Sequence, residues 1–281
     1  MSPQARERIA FWLLRAALVV VLFPVLFIVA YMVMKGAPGL SWEFLTTAPR
    51  SGMRAGGIFP AIVGTLCLVA GMLIVALPLG VCAAIYLSEY ARPSRWTRFI
   101  RLAIVNLSGV PSVVYGLFGL GCFVLLLQFG TSILAGALTL AIEGLAVIIT
   151  ASEEALRSVP QSFRQVAYSL GTTRWQVVRT AVMPYALPGM LTGTILALSR
   201  AAGETAPILF TVAAFYLPRL PQSVFDPVMA LPYHLYVLST QIPNVPSSIT
   251  YGTALVLVGV VVLFNITAIL IRARFRRRRQ W

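Results

Sequence analysis

The sequence predicts an all-α polytopic membrane protein with six transmembrane helices, and three observations predict it. Apolar residues make up 59% of the chain and charged residues only 11%, against about 25% charged in soluble domains. Several apolar runs approach the ~20 residues that carry a helix across a hydrocarbon core. The arginines gather in alternate loops, as cytoplasmic loops do. The formal net charge of +14 follows from that topology, so no nucleic-acid partner is expected.

The spans are expected at 11–34, 61–86, 102–128, 133–151, 185–214 and 251–271. The first run begins near Ile9, is too long for a signal-peptide core and lacks a small-residue cleavage site, so it reads as a retained span. One side of the membrane receives Arg6, Arg8, Arg15, Arg92, Arg95, Arg98, Arg101, Arg157, Arg164, Arg174, Arg179 and the basic tail at 272–279. The other side receives only Lys35, Arg50, Arg54 and Arg219. Both termini are therefore expected in the cytoplasm, with the tail a topology anchor that also offers contact to anionic membrane lipid. Trp12, Trp42 and Trp96 fall at expected interfaces and read as belt anchors.

On the other side, 36–57 is punctuated by Gly and Pro and reads as an irregular cap. The segment 215–250 is rich in proline, with a short surface helix expected at 229–241. His234 within it is the chain's one histidine and reads as a surface packing residue. Cys67, Cys82 and Cys122 lie in apolar runs without metal-ligand spacing and read as small buried residues. No metal site is expected.

Between the fourth and fifth spans lies a polar, Arg-bearing insert at 153–184. Pro160 sits where a helix can start, with Ser158 a possible N-cap. Phe163, Val166, Ala167 and Leu170 form an apolar stripe at helical spacing. Gly171 supplies a C-cap or bend, and Trp175, Val178 and Val182 suggest a second short helix running into Pro184. Two short helices on the basic side form a docking element for something outside the bilayer. The domain assignment is one transmembrane domain over 1–281 with this loop inside it.

Four stretches carry a family resemblance. Gln165-Val166-Ala167, followed by Gly171 and then Met183-Pro184, resembles the EAA loop of ABC importer permeases, with Gln165 in place of Glu and Met183 in place of Leu. Ser108 to Gly116, Ser199 to Pro207 and Gly56 to Thr65 resemble the GVPS, ARAxGETAP and GGI-x-PAI-x-GT segments of phosphate permeases. The resemblance implies a type I ABC importer permease fold in which 153–184 carries coupling helices. It also implies an inner-membrane permease subunit that forms half of a phosphate pathway and is not itself an enzyme. The implied partners are a second, related permease subunit, a homodimeric ATPase and a periplasmic phosphate-binding protein. This chain has no Walker A pattern, so it is expected to bind no cofactor, with ATP-Mg on the partner ATPase. Phe163, Arg164, Gln165, Val166, Ala167 and Gly171 would form the ATPase-coupling surface. A permease for sulfate, molybdate or a phosphonate is the alternative. A stand-alone secondary transporter is a further one, against which the docking insert argues.

Arg200 and Glu204 are the leading pathway candidates. They stand four residues apart on the expected fifth span and so share a helix face. An arginine at a span centre costs about 2.5–3.5 kcal/mol on insertion scales, and such residues face the bundle interior or a cavity. A guanidinium grips an oxyanion bidentately. Glu204 can neutralise Arg200 between translocation events or accept a hydrogen bond from a protonated phosphate, and a structural ion pair is the competing reading. Ser199, Thr205, Thr211 and Asn106 are lesser candidates, since hydroxyls in spans often bond their own helix. Pro111 and Ser112, inside the expected third span, are read as a gate or a packing kink. In the fourth span the family pattern L-P then R-T-T-E-E meets Leu145-Ala146 and Thr150-Ala151-Ser152, followed by a matching Glu153-Glu154. Glu153 joins the expected pathway on that match. Glu143 is an additional carboxylate deep in the run, either paired with Arg200 or a partner group, or protonated.

Overall fold

The computed structural model describes residues 3–277. A 34-residue helix α1 (Pro3–Gly36) opens the chain, about 51 Å long at the rise of an α-helix. An irregular cap follows, made of a 3₁₀ turn at Ala37–Gly39, a short α2 (Trp42–Thr46), and a two-stranded hairpin of β1 (Pro49–Arg50) and β2 (Ala55–Gly56). Then come α3 (Phe59–Ile85) with a π-helical turn at Tyr86–Tyr90, α4 (Arg95–Leu107), α5 (Ser112–Gly119) with a π-helical extension Leu120–Leu126, and α6 (Ile133–Arg157). The second half holds α7 (Gln161–Ser169), α8 (Arg174–Gln176) joined by the π-helical Val177–Val182 to α9 (Met183–Gly203), α10 (Ala206–Thr211), α11 (Leu231–Thr240) and α12 (Ser247–Arg277).

Among the described residues five helical stretches are long and apolar enough to cross a membrane: 10–39, 59–90, 133–157, 174–203 and 247–274. A sixth exists only as a bent pair, α4 followed by α5, turned through 103°. The six expected spans are present in that sense, with two of them rebuilt.

The first rebuilding concerns the third span. Pro111 is not a kink inside a helix; it is the extended residue (φ −59°, ψ 140°) that precedes α5. Proline donates no N–H and pushes the residue before it out of the helical region, so α4 stops at Leu107 and Ser112 begins a new helix. The Tyr115 hydroxyl donates to Leu107 O across the break and so satisfies a carbonyl that the helix end leaves open. The amphipathic α4 lies across the arginine-rich end of the bundle, and Asn106 sits exposed at its terminus.

The second rebuilding concerns the fifth span and the insert. A capping box between Thr173 and Gln176 starts a helical path that runs without a break to Gly203. Trp175, Val178 and Val182 therefore belong to the span, and α7 is the one free-standing helix of the insert. Ser158 ends α6 instead of capping α7, whose N-cap is Pro160. At the far end the span stops at Gly203, because Glu204 is extended (φ −70°, ψ 131°), and Pro207 opens the separate α10.

α6 is the centre of the bundle: 67% of its most apolar window is buried, against 0% for α1 and 6% for α12. Small residues let the backbones around it approach. A Cβ added at Gly193 would lie 2.3 Å from the Ala151 Cβ, and one at Gly189 would lie 2.6 Å from the Ala155 Cβ. Ala146, standing where the family pattern has proline, is fully buried and lets α6 run straight, and Thr150 donates to its carbonyl at 2.8 Å. Three apolar clusters stack along the bundle. Met72, Leu140, Ile148 and Ala197 lie at the middle. Leu156, Val177, Val178 and Val182 lie at the arginine-rich end. Phe44, Ile58, Leu231 and Val237 lie under the cap.

Two smaller expectations change. His234 is not a surface residue; α11 carries it inward to 2% exposure. Of the cysteines, Cys67 and Cys122 are half-buried and Cys82 is exposed. The end of the basic tail lies outside the described residues, while Arg272 donates to Thr192 Oγ1 at 3.0 Å.

Candidate functional site

Glu143 stands near mid-height on α6, about 15 Å from the start of that helix at α-helical rise. α9 runs beside α6 and brings Arg200 to it, with Arg200 Nη2 2.8 Å from Glu143 Oε1. The ion pair is close, yet the Glu143 oxygens have no well-aligned hydrogen bond. Glu204 approaches the same guanidinium, and Arg200 Nε donates to Glu204 Oε1 at 3.0 Å. Glu204 lies on the extended residue after α9, so the contact is made across a helix end and not along a shared face. One guanidinium thus holds two carboxylates. The Glu143 side chain is 6% exposed and that of Glu204 17%, while that of Arg200 is 44% exposed. The space between Glu143 and Arg200, walled by Met72, Leu140 and Ala197, measures only about 10 Å³, too small for an oxyanion. Access to Arg200 is therefore from its open side.

The other expected pathway residues divide. Thr205 adjoins Glu204 at the start of α10, half-buried. Ser199 turns to α12, its hydroxyl 2.9 Å from Ile195 O and 2.5 Å from Asn265 Oδ1, so it joins helices and does not face Arg200. Thr211 is fully buried and donates to Pro207 O. Asn106 lies exposed at the end of α4, beside Leu107, whose carbonyl takes the Tyr115 hydroxyl. Glu153 lies about 15 Å further along α6 than Glu143. There it takes Arg101 Nε at 2.9 Å and Arg157 Nη2 at 2.8 Å, at a cavity of about 150 Å³ that Thr150 and Glu154 also line. Arg101, from α4, stands in the region where the family pattern would place an arginine at Thr150. Glu153 is thus part of a local cluster and not of the Arg200 group.

The insert also divides. Phe163 packs its ring edge-on to Tyr185 at 4.9 Å, and Ala167 packs beside it. Gln165, Val166, Tyr168 and Leu170 face outward, followed by Gly171 at φ +76° and the exposed Trp175. The expected single stripe is therefore two faces, with Val166 and Leu170 on the open one. Arg164 points inward: it is 7% exposed and its Nη2 lies 2.7 Å from Glu89 Oε1. Sequence reasoning missed Glu89, Arg101, Tyr115 and Asn265 as partners. The one available signal for Glu89 was a lone carboxylate in a loop followed by four arginines.

At the capped end, burial pushes the His234 imidazole down to about 4, and its Nδ1 has no hydrogen-bond partner among the described residues.

The sequence family described as "Binding-protein-dependent transport system inner membrane component" matches residues 76–281. The "Probable ABC transporter permease protein YqgI" of Bacillus subtilis is 35% identical over 253 residues, covering 85% of each chain. "Phosphate transport system permease protein PstA 1" of Mycobacterium tuberculosis is 37% identical over 227 residues, covering 80% of this chain and 73% of the relative. A solved bacterial ABC transporter for the acidic polysaccharide alginate superposes with a TM-score of 0.69 over 98% of this chain and 100% of its own, at 14% identity. That likeness shows the fold, a type I ABC importer permease.

Proposed function

The chain belongs to the family of binding-protein-dependent transport system inner membrane components, and from that premise we propose that it forms half of the pathway of an ATP-driven inorganic phosphate importer. Relatives named as phosphate transport permeases support the substrate. The observation that carries the reading is Arg200, held within the bundle between Glu143 and Glu204 and open on one side.

The charge count defines its task. With both carboxylates ionised the group carries one net negative charge, which repels an anion. An oxyanion therefore has to take a carboxylate's place on the guanidinium. Glu204 is the mobile one, because it sits on extended backbone between two helices, whereas Glu143 is fixed on the central α6. One edge of the guanidinium is in use, through Nε and Nη2, and the end edge, Nη1 with the second Nη2 N–H, remains for bidentate recognition. Thr205 is placed to add a hydroxyl.

The chain performs no hydrolysis in this reading. A PstB-like ATPase pair carries ATP-Mg, and the outward face of α7 (Gln165, Val166, Tyr168, Leu170) docks it. A PstC-like second permease closes the open side of Arg200, and a PstS-like periplasmic protein delivers phosphate at the capped end. The protein lies in the inner membrane with both termini and α7 in the cytoplasm, following the arginine-rich end. Glu143, an additional carboxylate beside the gripping arginine, is the feature that favours the competing reading of another oxyanion. ATP-driven uptake of labelled phosphate into vesicles holding the complex, challenged with sulfate, molybdate and a phosphonate, decides between them. Displacement of phosphate by one of these at equal concentration would overturn the phosphate assignment.

A further inference from the structure

We propose that the Glu89–Arg164 pair is the link through which the docking helix moves the second and fourth spans, with Glu89 a positioning residue for the transport cycle. The inference rests on the reading that α7 receives an ATPase.

α7 has nine residues and weak covalent moorings. On one side it is joined to α6 through Ser158–Pro160. On the other it meets Gly171, in the left-handed region, where an added Cβ would have open space around it. Phe163 and Ala167 pack it against the bundle, but apolar contacts permit sliding. Arg164 does not. Its Nε and Nη2 grip Glu89 Oε2 and Oε1 at 3.1 and 2.7 Å. Its Nη1 donates to Val159 O at 2.7 Å and its Nη2 to Leu156 O at 2.9 Å. The Leu156 carbonyl lies in the last turn of α6 and the Val159 carbonyl just beyond it, where helix ends leave acceptors open and the dipole favours a cation. Glu89 sits on the π-helical turn that ends the second span. One guanidinium therefore binds three elements: the docking helix, the end of α3 and the end of α6.

Both side chains are 9% exposed, so Arg164 cannot touch another chain while this arrangement holds. An apolar pair of equal volume would serve simple cohesion as well as a buried ion pair does. What the fork adds is direction, because two parallel hydrogen bonds fix angle as well as distance. The pair lies on the inner side of the helix whose outer side is Val166, Tyr168 and Leu170. Displacement applied to that face reaches α3 and α6 through it. α6 carries Glu143, so the same link leads to the Arg200 group.

The test uses the whole complex in vesicles, with labelled inorganic phosphate as one probe. A spin label on Cys82, exposed on α3, is the second, with Cys67 and Cys122 replaced by alanine. Glu89→Gln keeps the shape and removes the charge. The expected result is normal membrane accumulation and normal co-purification of the ATPase, phosphate moved per ATP reduced about tenfold, and loss of the ATP-driven displacement of the Cys82 label. Arg164→Lys, which keeps the charge and loses the fork, is expected to fall between Glu89→Gln and the unaltered protein. Unchanged coupling and label movement in Glu89→Gln would overturn the proposal. So would loss of the ATPase from the purified complex, or failure of both variants to accumulate, which would make the pair a docking or folding element. The label reads movement without regard to cargo. If the unaltered complex moves its label with ATP but accumulates no phosphate, the substrate assignment fails while the link is still decided by the variants.

Discussion

The molecule uses the same two side-chain types in two opposite ways. At Arg200 one guanidinium faces two carboxylates, and the arginine side chain is 44% exposed. At Arg164 one guanidinium faces one carboxylate, backbone carbonyls take two further N–H bonds, and both side chains are 9% exposed. The first arrangement is over-supplied with acceptors and open, so a ligand can replace one of them. The second is matched and sealed, so nothing can. Exchangeability in a buried ion pair is thus set by stoichiometry and access, and not by residue type.

Substitutions test that contrast. The largest effect is expected from Arg200→Met, which removes the grip on the anion: uptake should fall by more than about 100-fold, the scale of losing two charge-assisted hydrogen bonds. The complex should still assemble, since Glu204 (17% exposed) lies against the open side, while Glu143 (6% exposed) is left buried without its cation. Uptake near the unaltered rate would remove Arg200 from the pathway. Arg164→Met is expected to act differently. It strands Glu89 in a sealed site, and breaking a buried pair costs about 3–5 kcal/mol, to be read as a lowered thermal midpoint of the purified protein. An unchanged midpoint would show that Glu89 can find water, and the two sites would no longer differ in kind.

Glu143→Gln sharpens the comparison from the other side. Removing one negative charge from beside the guanidinium lessens the repulsion of an incoming anion and should raise apparent anion affinity by about tenfold. Weaker binding would mean that Glu143 orients Arg200 and does not compete for its cargo.

His234 supplies the smallest contrast, a buried titratable group with no counter-ion. Its folded value of about 4 lies below the unfolded 6.5, so the neutral form is favoured in the native state. The unfolded chain binds the extra proton as pH falls below 6.5. The contribution to stability is therefore complete above that pH, declines between 6.5 and 4, and is gone below 4. The upper bound is about 3 kcal/mol at 1.36 kcal/mol per pH unit. Unfolding curves across pH 7 to 4 should be flatter in His234→Gln than in the unaltered protein, and equal slopes would refute the assignment.

Much of this was readable from residues in order. Arg200 was legible because a guanidinium in an apolar run has no cheap explanation, and α7 because Pro160, the apolar spacing and Gly171 all act within one turn or two. The partner of Arg200 on α6 was legible only as one of several possibilities. Glu89 was not legible at all as the partner of Arg164, since the two lie 75 positions apart and a loop carboxylate carries no periodic signal. The same limit misplaced Glu153 and Ser199: each lies on the correct helix at the wrong height or azimuth.

The sequence by itself determined the membrane class, the basic end, the family and the presence of a guanidinium within a span, because hydropathy, charge asymmetry and local motifs are properties of contiguous residues. Only the tertiary structure decided where the third and fifth spans break, which face of α7 is open, and which carboxylate each arginine holds. Those outcomes depend on how helices meet across the bundle, where one turn of height or a hundred degrees of rotation separates a matched pair from an unmatched one.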